Sequence, residues 1–210
     1  MRASKLSVIK DFLGLGVLIG FVAAVMLVVI PHIHETENDA LKNSYIEEQK
    51  LIVRNEIDSL AKRLVSFKNI IQNQGKSRSE WLKIVFSFLQ NHRYGADNYG
   101  YFFIIDSKNN SILFHPLMKE LEGRKLNSII TPKGKNFGIL FEKLTFVSDS
   151  GYIEYYWFNK NGDVHKKTTF VKRIPEFDWI ICSGFYHSDF DRTFENYSVI
   201  RKQTLSDTRH

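Results

Sequence analysis

The longest apolar run of the chain lies near its beginning, where Phe12 to Ile30 forms 19 residues without a charged side chain. A helix of this length can cross the hydrocarbon core of a bilayer. A cleaved signal peptide is the alternative, but its apolar region would be shorter and a small-residue cleavage site would follow it. The pattern therefore predicts an uncleaved transmembrane anchor over residues 12–34.

Charges on the two sides of this run predict its orientation. Basic residues precede it at positions 2, 5 and 10, and acidic residues follow it at positions 35, 37 and 39. Because positive flanks stay in the cytoplasm, residues 1–11 are expected inside the cell. The remainder of the chain is then expected outside the inner (plasma) membrane, in the periplasmic or extracellular space.

A long helix is predicted after the anchor. The stretch from Glu35 to Gln74 contains neither Pro nor Gly, and Gly75 is a stop signal. Apolar residues recur within it in alternating steps of four and three, at Val53, Ile57, Leu60, Leu64, Phe67 and Ile71. Such a seam can pack on the sheet of its own domain or pair two copies, and the two are compatible because one helix can use different stretches for each. We expect a homodimer through Val53, Ile57, Leu60, Leu64 and Phe67, with the first alternative left open.

The pattern beyond Gly75 predicts an α+β domain. A capping box at Ser77–Glu80 starts a second helix that ends near Asn91. Aromatic and β-branched runs between turn signals predict five strands, and a short helix is expected over 137–146. The predicted strands are Tyr99–Asp106, Ser111–His115, Tyr152–Phe158, Val164–Arg173 and Asp178–Tyr186. Two opening helices followed by antiparallel strands place this domain over residues 35–191, with a polar tail over 192–210.

Composition narrows the class of partner. The 210 residues are 43% hydrophobic, enough for one domain with a substantial core. The net charge of +6 comes from scattered residues without a basic stripe or nucleic-acid motif, so nucleic-acid binding is not expected. The single cysteine, Cys182, allows no internal disulfide.

Six motifs in order give the domain a family resemblance. They are Gly100–Asp106, His115-Pro116, Leu121–Leu126, Gly151–Trp157, Lys167–Lys172 and Trp179–Tyr186. This order resembles the single Cache domain, which implies a PAS-like extracytoplasmic sheet behind a long helix. Domains of this family sense small molecules, often short carboxylates, for chemoreceptors, histidine kinases and cyclases. The chain departs from the pattern at Phe170 and Asp178, where a Tyr and a Gly are usual. The resemblance also implies a second membrane helix followed by a signalling module. The polar stretch 192–210 has no apolar run that could form such a helix. We therefore expect a separate or truncated signalling module as partner.

Alternation along the strands gives candidate ligand-binding residues. Tyr101 and Phe103 share one face of the first strand, and Tyr155 and Trp157 share one face of the third. Lys167 and Thr169 share a face of the fourth strand, and His115 ends the second. If these faces meet, apolar walls enclose a few polar tips, as a small anionic ligand requires. Lys167 would supply a cation and His115 a donor whose charge depends on pH. The candidate site is thus Tyr101, Phe103, His115, Tyr155, Trp157, Lys167 and Thr169.

No motif of an enzyme is found in the sequence: there is no nucleophile elbow and no H-E-x-x-H. The spacing of His187, Asp189 and Asp191 is more typical of a solvated cap than of a metal site. We therefore expect a protein without enzymatic activity, cofactor or metal. Two functions stay open: a ligand-sensing module for transmembrane signalling, or a membrane-tethered structural protein whose pocket is filled by its own side chains.

Overall fold

A computed structural model describes residues 2–73, 75, 77–95, 98–145 and 148–194 of the chain. It divides into two compact units, Met1–Tyr45 and Ile46–His210. Helix α1 (Arg2–Asn73) ends before Gly75, which has a positive φ of 70°. Glycine adopts this backbone conformation without strain, which is why it commonly follows a helix end. The predicted stop is confirmed.

Helix α2 (Arg78–Asn91) begins at the predicted capping box. The Ser77 hydroxyl accepts a hydrogen bond from the Glu80 N–H, and the Glu80 carboxylate accepts one from the Ser77 N–H at 2.8 Å. These two bonds satisfy amide groups that have no partner within the helix. The buried face of α2 consists of Trp81, Val85 and Leu89.

The five predicted strands form one antiparallel sheet. They are β1 (Phe102–Asp106), β2 (Ser111–Phe114), β3 (Ser150–Phe158), β4 (Val164–Ile174) and β5 (Trp179–Tyr186), and helix α3 (Phe137–Thr145) precedes β3. Their order in the sheet is β2-β1-β5-β4-β3, so the last strand lies in the middle. The α+β class and the PAS-like sheet are confirmed.

Two buried clusters lie on opposite faces of this sheet. Alternate residues of β1 separate them: Phe102 and Ile104 belong to the cluster with α1 and α2, whereas Phe103 and Ile105 belong to the other. The second cluster is covered by the segment from Leu117 to Thr145, which contains two short 3-10 turns and α3. This covering segment lies over the candidate site.

The seam that was predicted to join two copies packs instead on its own sheet. Val53, Ile57, Leu60 and Leu64 are at most 5% exposed and belong to the helix-side cluster, and Phe67 packs against it. The side chain of Ile71 lies outside the described residues. Because the seam is already buried within one chain, these side chains do not offer a surface to a second copy. The prediction of a dimer through this seam is therefore corrected to intrachain packing.

The predicted anchor falls in the first unit. Over the part of the chain that the structure describes, no helix combines the length and the apolarity needed to cross a membrane. Several side chains of the stretch Phe12–Ile30 lie outside the described residues, and the predicted tail over 192–210 is described only as far as Phe194.

Candidate functional site

The seven candidate residues are all buried and lie on the same side of the sheet. Tyr101, Phe103, Tyr155 and Trp157 belong to the second cluster. The polar candidates His115, Lys167 and Thr169 are at most 3% exposed. Alternation had placed these residues on common strand faces, and the structure brings them together.

Pairing between strands sets their positions. Tyr155 on β3 lies opposite Lys167 on β4, and Lys167 in turn lies opposite Tyr186 on β5. His115 directly follows Phe114, the last residue of β2, because Pro116 cannot continue a ladder. Its ring lies 5.4 Å from that of Phe103 and 5.5 Å from that of Tyr101, measured between centroids. The histidine is thus brought across β1 towards the lysine.

Lys167 is an ammonium group inside the protein. Its side chain is among the largest fully buried ones, with 1% of the residue exposed. Nζ donates a hydrogen bond of 2.8 Å to the Tyr101 hydroxyl. Among the described residues, no carboxylate lies within 4.0 Å of Nζ. A buried charge ordinarily requires an opposite charge or several hydrogen bonds, since its transfer from water is costly.

His115 is held as a neutral ring. Its Nδ1 accepts hydrogen bonds from the N–H groups of Leu117 at 3.2 Å and Met118 at 3.0 Å. An acceptor at Nδ1 places the proton of the neutral ring on Nε2, which is therefore a donor. Burial, with the nearby charges of Lys167 and Lys119, lowers the pKa of His115 from 6.5 to about 3. Protonation of Nδ1 would also break both backbone bonds.

Tyr155 and Thr169 form a second polar pair. Their hydroxyls are 2.9 Å apart, and burial raises the pKa of Tyr155 well above its ordinary value. Gly184 on β5 lies opposite Thr169 on β4 and leaves space for this pair of hydroxyls. A Cβ at position 184 would lie 2.6 Å from the Thr169 hydroxyl oxygen and 2.3 Å from the Thr168 carbonyl oxygen. Any larger residue at 184 would displace β4.

A cavity of about 10 Å³ lies between the sheet and the covering segment. That is room for roughly one water molecule. The walls include five of the candidates and four residues that the sequence did not indicate: Ile112, Leu121, Ile129 and Phe137. Three of those four come from the covering segment: Leu121 and Ile129 lie in its irregular part, which has no periodic pattern, and Phe137 begins α3. Tyr101 and Thr169 are set back from the cavity, although each is bonded to one of its wall residues.

The arrangement is suited to an anion. Lys167 has three N–H donors and gives one to Tyr101. The His115 Nε2–H has no acceptor among the described residues. Both groups line a cavity whose other walls are aliphatic and aromatic. Donors that converge in an apolar, water-poor space fix the orientation of a small acid and strengthen its hydrogen bonds.

Comparison with known proteins found a matching family and solved structures with a similar fold. The sequence profile of the Cache domain matches residues 76–191. A solved structure named as the periplasmic sensor domain of a chemotaxis protein is 26% identical, with a TM-score of 0.56 over 67% of this chain and 95% of that one. A second, from work on carboxylic acid recognition by a Cache chemosensory domain, is 23% identical, with a TM-score of 0.55 over 70% of this chain and 97% of that one.

Proposed function

The chain belongs to the Cache domain family, and we propose that it is a ligand-sensing module for transmembrane signalling whose cavity binds a small organic anion, with a short carboxylate favoured. One observation carries this proposal: the buried ammonium of Lys167 has no carboxylate beside it in the described part of the chain. A bound carboxylate would supply the missing opposite charge.

The donor set supports a carboxylate over a neutral ligand. Lys167 and His115 both line the cavity and both carry N–H donors, which suits a group with two oxygens. Hydrogen bonds to a charged group contribute about 1.5–3 kcal/mol each, roughly twice the value for neutral pairs. A neutral ligand would leave the ammonium without a counter-charge. The name of the 23% identical structure, which concerns carboxylic acid recognition, is consistent with this class.

The size of the cavity restricts the ligand. A space for about one water molecule holds no acid of several carbons unless the walls move. Leu121, Ile129 and Phe137 belong to the covering segment, and outward movement of this segment would enlarge the cavity without changing the sheet. We therefore favour acids of two or three carbons, bound with displacement of the covering segment.

The test is a melting experiment on the full chain in mild detergent with acetate, propionate and lactate. A ligand at a hundred times its Kd adds about 2.7 kcal/mol of stability, which raises Tm by roughly 5–10 °C in a protein of this size. Lys167→Met removes the charge and keeps most of the length of the side chain. It should weaken binding about ten- to a hundredfold, because one charge-assisted hydrogen bond is lost.

Lys135→Met is the matched control, since Lys135 is an exposed cation on the covering segment. It should leave the affinity unchanged. Apo Lys167→Met should keep most of its stability, because removal of a desolvated charge offsets the lost bond to Tyr101. Equal affinity in wild type and Lys167→Met would show that the acid binds elsewhere.

The small cavity favours a second candidate function, a membrane-tethered structural or interaction protein with a filled pocket. In that case Lys167 and Tyr101 stabilise the fold alone. No small acid would then raise Tm, and Lys167→Met would change apo stability without changing any ligand response.

We further propose that residues 12–34 anchor the domain in the inner membrane, with the domain on the periplasmic or extracellular side. The uncharged stretch Phe12–Ile30 and the flanking charges support this. Described side chains within it, such as Phe21 and Leu27, are apolar and more than 60% exposed. A separate or truncated signalling module in the cytoplasm would receive the signal.

A further inference from the structure

Three aromatic rings lie within 6.0 Å of the Lys167 ammonium. Its Nζ lies 4.5 Å from the ring centroid of Tyr101, 5.0 Å from that of Tyr186 and 6.0 Å from that of Phe103. A cation within about 6 Å of an aromatic face is attracted by the negative charge density of the ring. The three rings come from two strands: Phe103 lies on β1 and Tyr186 on β5, with Tyr101 immediately before β1.

Cages of this kind recognise ammonium ligands in many proteins. Here the chain places its own ammonium in the cage, because Lys167 on β4 lies directly opposite Tyr186 on β5. The rings and the Tyr101 hydroxyl stabilise the charge without consuming a carboxylate. Two N–H donors of Lys167 are therefore left for another acceptor.

We propose that Lys167 is a specificity-determining residue: its ammonium occupies an aromatic cage formed by Tyr101, Phe103 and Tyr186, so that the cavity rejects amines and accepts anions. The inference deepens the proposed function, since it assigns the selection of the ligand's charge to one residue. Without Lys167 the same rings would form a site for a small ammonium ion.

Two physical effects exclude an amine from the wild-type site. The rings that would attract its charge are already occupied, and the fixed ammonium repels a second cation in a cavity with little water. His115 adds no attraction, since its Nε2–H is a donor. Across the described residues, no carboxylate lines the cavity to offset this repulsion.

The experiment is chemical rescue of Lys167→Ala. Alanine keeps Cβ, and the atoms removed correspond to propylammonium, which is the probe. Tm is measured for the full chain in mild detergent with propylammonium chloride, with 1-propanol as a neutral probe of the same length, and with sodium acetate. Lys167→Met is the matched variant, because its side chain fills the space without a charge.

Propylammonium should raise the Tm of Lys167→Ala by roughly 3–6 °C at ten times its Kd, and should leave wild type and Lys167→Met unchanged. 1-Propanol should have a clearly smaller effect on Lys167→Ala. Acetate should raise the Tm of wild type and should not change that of Lys167→Ala. When propylammonium is also present, acetate should raise the Tm of Lys167→Ala as well.

Equal stabilisation of Lys167→Ala by 1-propanol and propylammonium would overturn the inference, because it would show cavity filling without recognition of charge. Stabilisation of wild type by propylammonium would also overturn it. If Lys167→Ala does not fold unless propylammonium is present during refolding, the inference is supported, and if propylammonium does not restore folding it is refuted. A failure of acetate alone refutes the proposed ligand and leaves the amine result interpretable.

Discussion

His115 shows how a single residue can combine two roles. Its Nδ1 accepts the first two amide N–H groups of the covering segment, and the residue lines the cavity. A ligand that bonds Nε2 therefore contacts the residue on which the covering segment begins. If the cavity binds an acid as proposed, its binding and movement of the covering segment would be coupled through this imidazole.

The lowered pKa of His115 makes stability depend on pH. The unfolded chain binds a proton near pH 6.5, whereas the folded protein does so only near 3. Between these values the unfolded state binds more protons, so this contribution to the free energy of unfolding is present above pH 6.5 and is lost as the pH falls. The loss is about 2 kcal/mol between pH 6.5 and 4.5.

His115→Asn tests this dependence, because the amide oxygen of asparagine can accept the two backbone N–H groups but does not titrate. Urea unfolding of both proteins at pH 6.5 and 4.5 is the measurement. Between pH 6.5 and pH 4.5 the free energy of unfolding should fall by about 2 kcal/mol more for wild type than for the variant. Glu122, which accepts the His115 N–H, is the same in both proteins, so its contribution cancels in the comparison. Identical losses would mean that His115 is not held neutral by the fold.

At the residue scale, the sequence was informative wherever alternation decides the face of a strand. It placed Tyr101, Phe103, Tyr155 and Trp157 correctly on one side, because successive side chains point in opposite directions. It did not indicate Tyr186, which contacts Lys167 only because β5 lies beside β4. No local sequence pattern indicates which strands become neighbours in the sheet.

Among the elements, α1 carries the main correction. A repeat of apolar residues at steps of three and four is the same for a helix that packs on a sheet and for one that pairs with a copy. The sheet supplies the apolar surface here, and Val53 to Leu64 are buried against it. A periodic pattern specifies a buried face but not the partner that buries it.

Leu60→Ala tests this assignment. Leu60 is buried in the helix-side cluster, so the loss of its side chain should lower the free energy of unfolding by about 2–5 kcal/mol. Leu51→Ala on the same helix is the control, since Leu51 is 59% exposed, and it should change stability by about 0.5 kcal/mol or less. The measurement is urea unfolding, with sedimentation to follow oligomeric state. Loss of self-association by Leu60→Ala at unchanged stability would restore the intermolecular assignment.

Strand positions were predicted more closely than the covering segment. Caps, turns and runs of β-branched residues are local signals, and Asp106 illustrates them: its carboxylate accepts the N–H groups of Lys108 and Asn109 in the turn between β1 and β2. The segment from Leu117 to Asn136 has no such period. Its fold depends on contacts with the sheet, which only the assembled structure contains.

At the scale of the whole molecule, the proposed membrane topology can be tested with reporter fusions. In the proposed orientation the flanking charges would keep the N-terminus inside, so a reporter fused after His210 should be active only when it functions outside the cytoplasm. Alkaline phosphatase and a cytoplasmic fluorescent protein, fused in parallel, give opposite outcomes. Replacement of Arg2, Lys5 and Lys10 by Glu, with the rest unchanged, should reduce the phosphatase signal. Fluorescence from the unmodified fusion would contradict the proposed orientation.

The central position of β5 constrains how the chain is completed. Strands β1 and β4 both pair with β5, and residues from it enter both buried clusters: Trp179 and Ile181 on one side, Ile180 and Cys182 on the other. While a ribosome is still adding residues before Trp179, the sheet consists of two separate hairpins and neither cluster is closed. Both clusters therefore close only once β5 is in place, and we expect the domain to complete its fold only after this last strand has been added.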